Sequence, residues 1–551
     1  MRIKDQIPQI GRTVARVDAF DKVKGLEKYA ADYYGREVLC AGVKRAGIPS
    51  GILRKIHSKA ALRVPGILNI LTHKDVKGTN RQGVIRKDQP VLVEDRVRHC
   101  GDAVALVIAE DRKALERAVG AIELELQPLP GIFDPEEALK EDAPRVHEDN
   151  PEGNILLHGI MEKGDAGTAF KECDCVVEGC FELPHQEHAC LETENGRAVL
   201  GENGRLEIIA STQTPFRDRA EVAEALGMDM DRIRIIAPYC GGAFGGKDGI
   251  TVQSLLALAA LHCPGRPVKM WWSREESFLA SVKRHPARLY YRLGAKKDGA
   301  FHALDARLYY DTGPYDHLGG AIMALGMEHA GGPYKIPHVR LRAWAVFTNN
   351  PIGGAFRGFG VPQVTGAMEQ MVDMAAAKLA MEPLELRMKN GIRRGDRNPI
   401  GVIVTGSTGL QDCLETLKGH PDWFNKDHWK SGAGPFKSRG VGIAAVMHGM
   451  GYGPVVPDVA NAKIELTGEG IFRIYCGVAD MGQGNVSTCL QIAGDILNQN
   501  MDDMEAVLHD TDRTLPSARP RRAGLPTPSE MPWWERPEGS ERGYCYGRPI
   551  F

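Results

Sequence analysis

No stretch of this chain is apolar for long enough to cross a bilayer. The longest apolar run, around Leu255 to Leu261, falls far short of the roughly 20 residues that a spanning helix needs. The N-terminus, Met1 to Arg12, is polar and has no apolar signal core. Charge of one sign is missing as well. A net charge of −2 gives no overall basic field to attract nucleic acid or an acidic membrane. Repeated CxxC pairs are absent, and so are the cysteine spacings of iron–sulfur proteins. The twelve cysteines are scattered, with Cys173 and Cys175 forming a lone CxC. A dispersed set in a large chain reads as reduced, mostly buried thiols. These absences point to a cytoplasmic protein. If electrons pass through it, the relay centres are expected on another chain.

What is present is ordinary bulk and abundant glycine. With 551 residues, 43% hydrophobic and 25% charged, the chain can build several domains around large cores. Its 63 glycines suggest many loops in which backbone approaches something closely. Residues 11–129 read as a small α+β unit, with a strand over Ala105–Ala109, a helix over Arg112–Gly120 and a strand over Ile122–Leu126. A linker rich in Pro, Asp and Glu is expected over 130–153. Residues 154–395 form a second region, with strands over Leu206–Ala210 and Ile233–Ala237 and helices over Val252–Leu261 and Met368–Leu379. A third region, 406–517, has strand patterns over Gly440–Val446, Ala462–Thr467 and Ile471–Val478, then a helix over Val486–Leu497. The tail, 518–551, is rich in Pro and Arg and carries Trp533 next to Trp534. No helical or strand period survives there, which is the pattern of a disordered segment.

Three glycine loops, each ahead of a helix pattern, are the main chemical signal. The first is Gly241-Gly242-Ala243-Phe244-Gly245-Gly246-Lys247. The second is Gly353-Gly354-Ala355-Phe356-Arg357-Gly358-Phe359-Gly360. The third is Met481-Gly482-Gln483-Gly484. Helix starts of this kind offer exposed N–H groups and a favourable dipole to anions. Three of them suggest a ligand with several anionic or oxo groups. The first loop also fits GxxxxGK, the start of a nucleotide-binding P-loop. Asp248, however, stands where a Ser or Thr hydroxyl should bind Mg²⁺, and no acidic strand end partners it.

Taken together, the motifs resemble the xanthine dehydrogenase/aldehyde oxidase family. Gln186-Glu187-His188-Ala189-Cys190-Leu191-Glu192-Thr193 is similar to the family's QEHxxLE segment. Gly241–Asp248 is similar to GGxFGGKE, with Asp in place of Glu. Ala355–Gln363 closely resembles AFRGFGxPQ, and Met481–Gly484 matches MGQG. Arg16-Val17-Asp18 and Lys22–Gly25 resemble the entry to the family's hammerhead domain. The motifs stand in family order, and the resemblance covers about residues 10 to 517.

The resemblance implies an α+β fold: an α/β hammerhead domain, then a two-part molybdopterin-binding domain whose second part is incomplete here. It implies a molybdenum-bearing molybdopterin, in bacterial members usually the cytosine dinucleotide form. Iron–sulfur and FAD centres are then expected on partner subunits of a hetero-oligomer, in some cases a dimer of such units. The family reaction inserts a water-derived oxygen at an electron-poor carbon of an N-heterocycle or an aldehyde.

Site roles follow residue by residue. Gln186 would hydrogen-bond an oxo ligand of the metal without adding charge. Phe244 and Gly245 would bring backbone N–H groups near the metal's oxygen ligand, and Gly242 would belong with them to the cofactor-binding set. Arg357 would sit by the metal and stabilise negative charge developing on the substrate. Phe359 would line the substrate funnel. Met481, Gly482, Gln483 and Gly484 would bind the dinucleotide end. Asp248 stands where purine oxidisers carry a substrate-orienting Glu. An alignment anchored on Tyr334-Lys335-Ile336-Pro337 puts Leu325 where they carry a substrate-binding Arg. Both departures argue against xanthine itself. Competing readings are a zinc site from His185, His188 and Cys190, which lacks a fourth ligand of recognisable spacing, and a non-catalytic fragment that binds cofactor or partners.

The family's proton-accepting Glu lies in a C-terminal GxGE-type motif that this sequence lacks. The family pattern holds to Asp510-Thr511-Asp512 and Pro516-Ser517, then gives way to Ala518-Arg519-Pro520-Arg521-Arg522. That switch has the composition of a wrong reading frame, so the chain is expected to be truncated and to lack its base.

Overall fold

The computed structural model describes residues 8–33, 35, 37–449, 460–507 and 509–516. The tail expected to be disordered or out of frame, 518–551, lies outside the described residues.

Two large sheets carry the fold. The first has seven strands in the order Ile233–Ile236, Leu206–Ala210, Asn195–Leu200, Val268–Trp271, Leu39–Arg45, Ala103–Ala109 and Ile67–Leu71. The last three belong to the N-terminal unit and the others to the second region. They join through a parallel pairing of Leu39 with Val268 and Cys40 with Lys269. The expected boundary near residue 129 therefore does not divide the hydrogen-bonded sheet. One core, including Leu39, Val43, Leu106, Ile208, Leu256 and Val268, runs across it. The second sheet has five strands in the order Cys175–Leu183, Ala287–Ala295, Phe301–Gly313, His338–Phe347 and Ile155–Lys163. The helix Val361–Leu379 packs on it through Val364, Met368, Met371 and Val372.

Local sequence explains where some elements begin. The helix Arg112–Ala121 starts where the Asp111 carboxylate accepts from Ala114 N–H (2.9 Å), an N-cap that satisfies one orphan donor. It buries Ala114, Leu115 and Ala118 at helical spacing. The helix expected from Met368 begins at Val361 instead, because Pro362 is tolerated in a first turn.

One expectation fails. Gly440–Val446 forms no strand. Burial there does alternate, but no neighbouring strand pairs with it. Instead the Ala445 N–H donates to Glu369 Oε2 (2.7 Å) on the long helix. Residues 130–153, the expected linker, are held against the body of the protein. Ile132 and Asn349 exchange hydrogen bonds (2.7 and 3.0 Å), Arg288 pairs with Asp134 and Glu136, and Val146 enters the core. The segment is a strap held along its length.

The third region builds a smaller sheet from Ala462–Leu466, Phe472–Cys476 and Met504–Val507, covered by the helix Asn485–Leu497. It is anchored to the first sheet by Ala237 N–H donating to His509 O (2.9 Å) and by Arg234 paired with Asp510 (2.5 Å).

Candidate functional site

The three glycine loops converge. Cys240 N–H donates to Asp480 O (3.0 Å), which ties the first loop to the third. Arg357 N–H donates to Phe244 O (2.9 Å), which ties the second to the first. Phe244 and Phe359 hold φ of 53° and 48°, a left-handed backbone that non-glycine residues rarely adopt and that clusters at functional sites. Gly245 has φ of 103°, and a Cβ there would lie 2.5 Å from Ala355 O. Only glycine lets the first and second loops approach this closely.

On this junction Gln186, Phe244 and Arg357 all have exposed side chains. Arg284 holds the Gln186 side chain and the Arg357 backbone. The Gln186 carbonyl oxygen Oε1 accepts from Arg284 Nε (2.6 Å), and Arg284 N–H donates to Gln186 O (3.0 Å). Arg284 Nη2 also donates to Arg357 O (3.0 Å). Phe356 lies between the Arg284 guanidinium, 4.0 Å from its ring centroid, and the stacked ring of His188 at 4.2 Å. Next to Gln186, Glu187 forms a buried ion pair with Lys283 (2.5 Å). Burial lowers the Lys283 pKa, and Glu187 opposes that. His185 and His188 are pushed down to about 4 by burial, so both are neutral near pH 7.

The donors of these residues that make no hydrogen bond within the described residues are then the Gln186 amide NH₂, the Arg357 guanidinium and the Phe244 N–H. The Gly245 N–H points elsewhere: it donates to Gln213 Oε1 (3.0 Å), as does Lys247 N–H (3.3 Å). Gly242 turns the chain at φ of 97°, beside the Phe244 ring. Phe359 is half-buried and packs against the main core while its backbone shapes the loop. Asp248 is held in an ion pair by Arg217. Leu325 is half-buried on the helix Gly319–His329.

The third loop is built around Asp480, whose side chain is 0% exposed. Its carboxylate accepts from Gly482 N–H (2.9 Å) and Val486 N–H (3.4 Å) at the start of the helix Asn485–Leu497. Arg16 donates to Gly482 O (2.6 Å) and lies 4.0 Å from Asp480. Gln483 folds back onto Met481 N–H (2.7 Å) and Ala479 O (3.2 Å). Gly484 caps the helix at φ of 87°.

Two competing readings fail on this geometry. A P-loop lysine must reach a phosphate, but Lys247 is fully buried and donates to Glu192 O (2.9 Å) and Glu192 Oε2 (3.2 Å). His188 Nε2 contacts Ala355 O (2.8 Å) and Cys190 donates to Ala243 O (3.5 Å). Among the described residues no three His, Cys, Asp or Glu side chains stand together as a metal-holding group. Sequence reasoning missed Arg284, Gln213, Arg217, Lys283 and Asp480. None has a motif spacing to betray it, and Arg284 lies 98 residues from Gln186.

Known families match along most of the chain. The molybdopterin cofactor-binding domain matches residues 146–391 and, in a second form, 416–520. The aldehyde oxidase and xanthine dehydrogenase a/b hammerhead domain matches residues 24–130. The chain belongs to the xanthine dehydrogenase/aldehyde oxidase family.

Within that family it is similar to a probable xanthine dehydrogenase subunit of Bacillus subtilis, at 38% identity over 90% of this chain and 66% of the relative. It is 39% identical to the nicotinate dehydrogenase large molybdopterin subunit of Eubacterium barkeri, over 74% of this chain and 95% of that one. The solved aldehyde oxidoreductase of Desulfovibrio gigas superposes with a TM-score of 0.85 at 28% identity, over 94% of this chain and 58% of its own. The chain thus spans about two thirds of the Bacillus relative and just over half of the Desulfovibrio enzyme. It is a molybdopterin-binding chain of α+β fold. The Gln186 amide and the Arg357 guanidinium, exposed at the loop junction, are donors that suit a group bearing oxo oxygens.

Proposed function

We propose that this chain is the molybdenum-binding part of a hydroxylase that oxidises N-heterocycles or aldehydes with water-derived oxygen. The reading is carried by one observation: the Gln186 amide, the Phe244 N–H and the Arg357 guanidinium are donors on three exposed residues whose segments are joined by hydrogen bonds. Gln186 and Phe244 would hold the metal's oxygen ligands, and Arg357 would steady charge that develops on the substrate. The segment Met481–Gly484 would take the dinucleotide end, which we assign as cytosine dinucleotide. When bound, the molybdenum cofactor supplies the two-electron oxidation. Iron–sulfur and FAD subunits would carry the electrons away in a cytoplasmic hetero-oligomer. No helix among the described residues is long and apolar enough to cross a membrane.

The substrate would be an N-heterocycle or aldehyde other than xanthine. Asp248 is already engaged by Arg217, and Leu325 offers no hydrogen bond to a purine oxygen. Two tests address this reading. In the complex isolated from its natural source, Arg357→Ala should lower kcat/KM by about 10²–10³ while molybdenum stays bound, as for loss of a group that stabilises transition-state charge. An unchanged rate would remove Arg357 from the chemistry. A screen of purines, pyridine- and quinoline-type heterocycles and aldehydes should place xanthine among the poorer substrates, and xanthine as the best substrate would overturn the specificity assignment.

A further inference from the structure

A glutamine that must donate to an oxygen ligand faces a problem of symmetry. Its amide O and NH₂ are nearly the same size, so a half-turn about the last side-chain bond presents an acceptor in place of a donor. Facing an oxo group, the flipped amide would be repelled. Something must hold the Gln186 oxygen inward.

Arg284 meets that need by chemistry as well as position. A guanidinium carries donors only and keeps its proton at any working pH. Whatever group of Gln186 faces Arg284 Nε at 2.6 Å must therefore be the oxygen, and the NH₂ is left outward. The arginine is itself over-determined. Its backbone forms an antiparallel bridge with Gln186. Its Nη2 is spent on Arg357 O, and its plane lies on Phe356, which is backed by His188. The neighbouring Lys283–Glu187 ion pair, with side chains 6% and 9% exposed, pins the same two segments one residue away. Lys283 also donates to Ser281 O (2.7 Å) and Ser281 Oγ (2.9 Å). Two adjacent residues of one segment, Lys283 and Arg284, thus grip two adjacent residues of the other.

We propose that Arg284 is a positioning residue that fixes the Gln186 amide with its NH₂ toward the cofactor's oxygen ligand, and that through Arg357 O it sets Gln186 and Arg357 in register. The proposal rests on the reading of Gln186 as a cofactor-facing donor. Neither the 186–193 motif nor the 355–363 motif contains Arg284, yet it touches both.

The test uses the complex as isolated, with Arg284→Gln, Arg284→Lys and Gln186→Glu. Arg284→Gln keeps a polar group but can accept as well as donate, so both amide orientations of Gln186 become satisfied. Its kcat should fall about 10–100-fold, the usual loss when a group orienting a metal's environment is removed, with KM within about twofold. Molybdenum content by elemental analysis should stay at the wild-type level, and the Mo(V) electron paramagnetic resonance signal should shift or split into two species. Arg284→Lys can make only one of the two contacts, so it should recover part of kcat and show a single, shifted signal. Gln186→Glu keeps the contact to Arg284 but has no NH₂, and it should show the same kcat defect with full molybdenum. A merely structural role predicts something else: molybdenum content and thermal stability would fall together, and the residual Mo(V) signal would match wild type. That result overturns the proposal. Wild-type complex without molybdenum would instead overturn the cofactor reading beneath it.

Discussion

Phe244 and Phe359 hold left-handed backbone at either side of the loop junction, and Gly245 holds it without a side chain to obstruct. Strain of this kind costs about 1–3 kcal/mol per residue and persists only where the surroundings impose it. Gly245→Ala adds a Cβ at φ of 103°, 2.5 Å from the Ala355 carbonyl oxygen. Backbone on both sides must then shift. We expect a loss of about 2–4 kcal/mol in denaturant unfolding, beyond the usual range for a Gly→Ala change. A change within 0.5 kcal/mol would show that the two loops do not pack as described. His188 gives a second prediction. Burial holds its folded pKa near 4, below the unfolded value of about 6.5. The unfolded state therefore binds more protons between these values. The stability contribution of His188 is complete above about pH 6.5 and is lost as pH falls toward 4. His188→Phe should make the acid-side fall in stability shallower over that window. Asp88 and Asp218, raised by burial to about 7, act in the opposite sense: their contribution is lost as pH rises through 7. The difference between wild type and the variant is thus the diagnostic quantity, and equal slopes would mean that His188 is not buried neutral.

Helix Val361–Leu379 shows what holds the elements around the site. Glu369 accepts from Tyr334 Oη (2.5 Å), Arg387 Nε (2.8 Å) and Ala445 N–H (2.7 Å). Arg387, on the neighbouring helix Pro383–Asn390, is fully buried and also pairs with Asp373 (2.8 Å). Removing one partner from such a buried set strands the other charge. Glu369→Ala should cost about 3–5 kcal/mol and should increase hydrogen exchange in residues 440–449. A cost under 1 kcal/mol would contradict the packing. Element by element, much was legible in the sequence. The strand Leu206–Ala210 and the helix Asn485–Leu497 follow from strong local periodicity. The failed strand at Gly440–Val446 had the right alternation but no partner, and a period of two reports burial rather than pairing. Glu369 and Arg284 were not legible, because nothing local marks a residue whose partner lies far along the chain; Asp480, whose partners Gly482 and Val486 are close in sequence, stands just outside the Met481–Gly484 motif and was passed over.

At the scale of the whole molecule, the N-terminal unit and the second region share a sheet and a core. Their division into domains matches the order of the family motifs better than it matches the packing. Excised residues 11–129 would expose Leu39, Val43 and Leu106 and present Leu39–Arg45 as an unpaired edge, a ready template for aggregation. The fragment is expected to be aggregated or poorly folded by circular dichroism and sedimentation. A cooperative, monomeric unfolding transition would show that the shared sheet contributes little. The same cross-boundary build brings the three loops together: each leaves a different part of the chain, and the first two meet beside Gln186 where the donors stand. The most direct measurement is the molybdenum and nucleotide content of the complex isolated from its natural source. We expect close to one molybdenum per chain, with cytidine monophosphate released on acid hydrolysis in equal amount. Folded, homogeneous protein with neither metal nor nucleotide would contradict the assignment of this face to a molybdopterin dinucleotide.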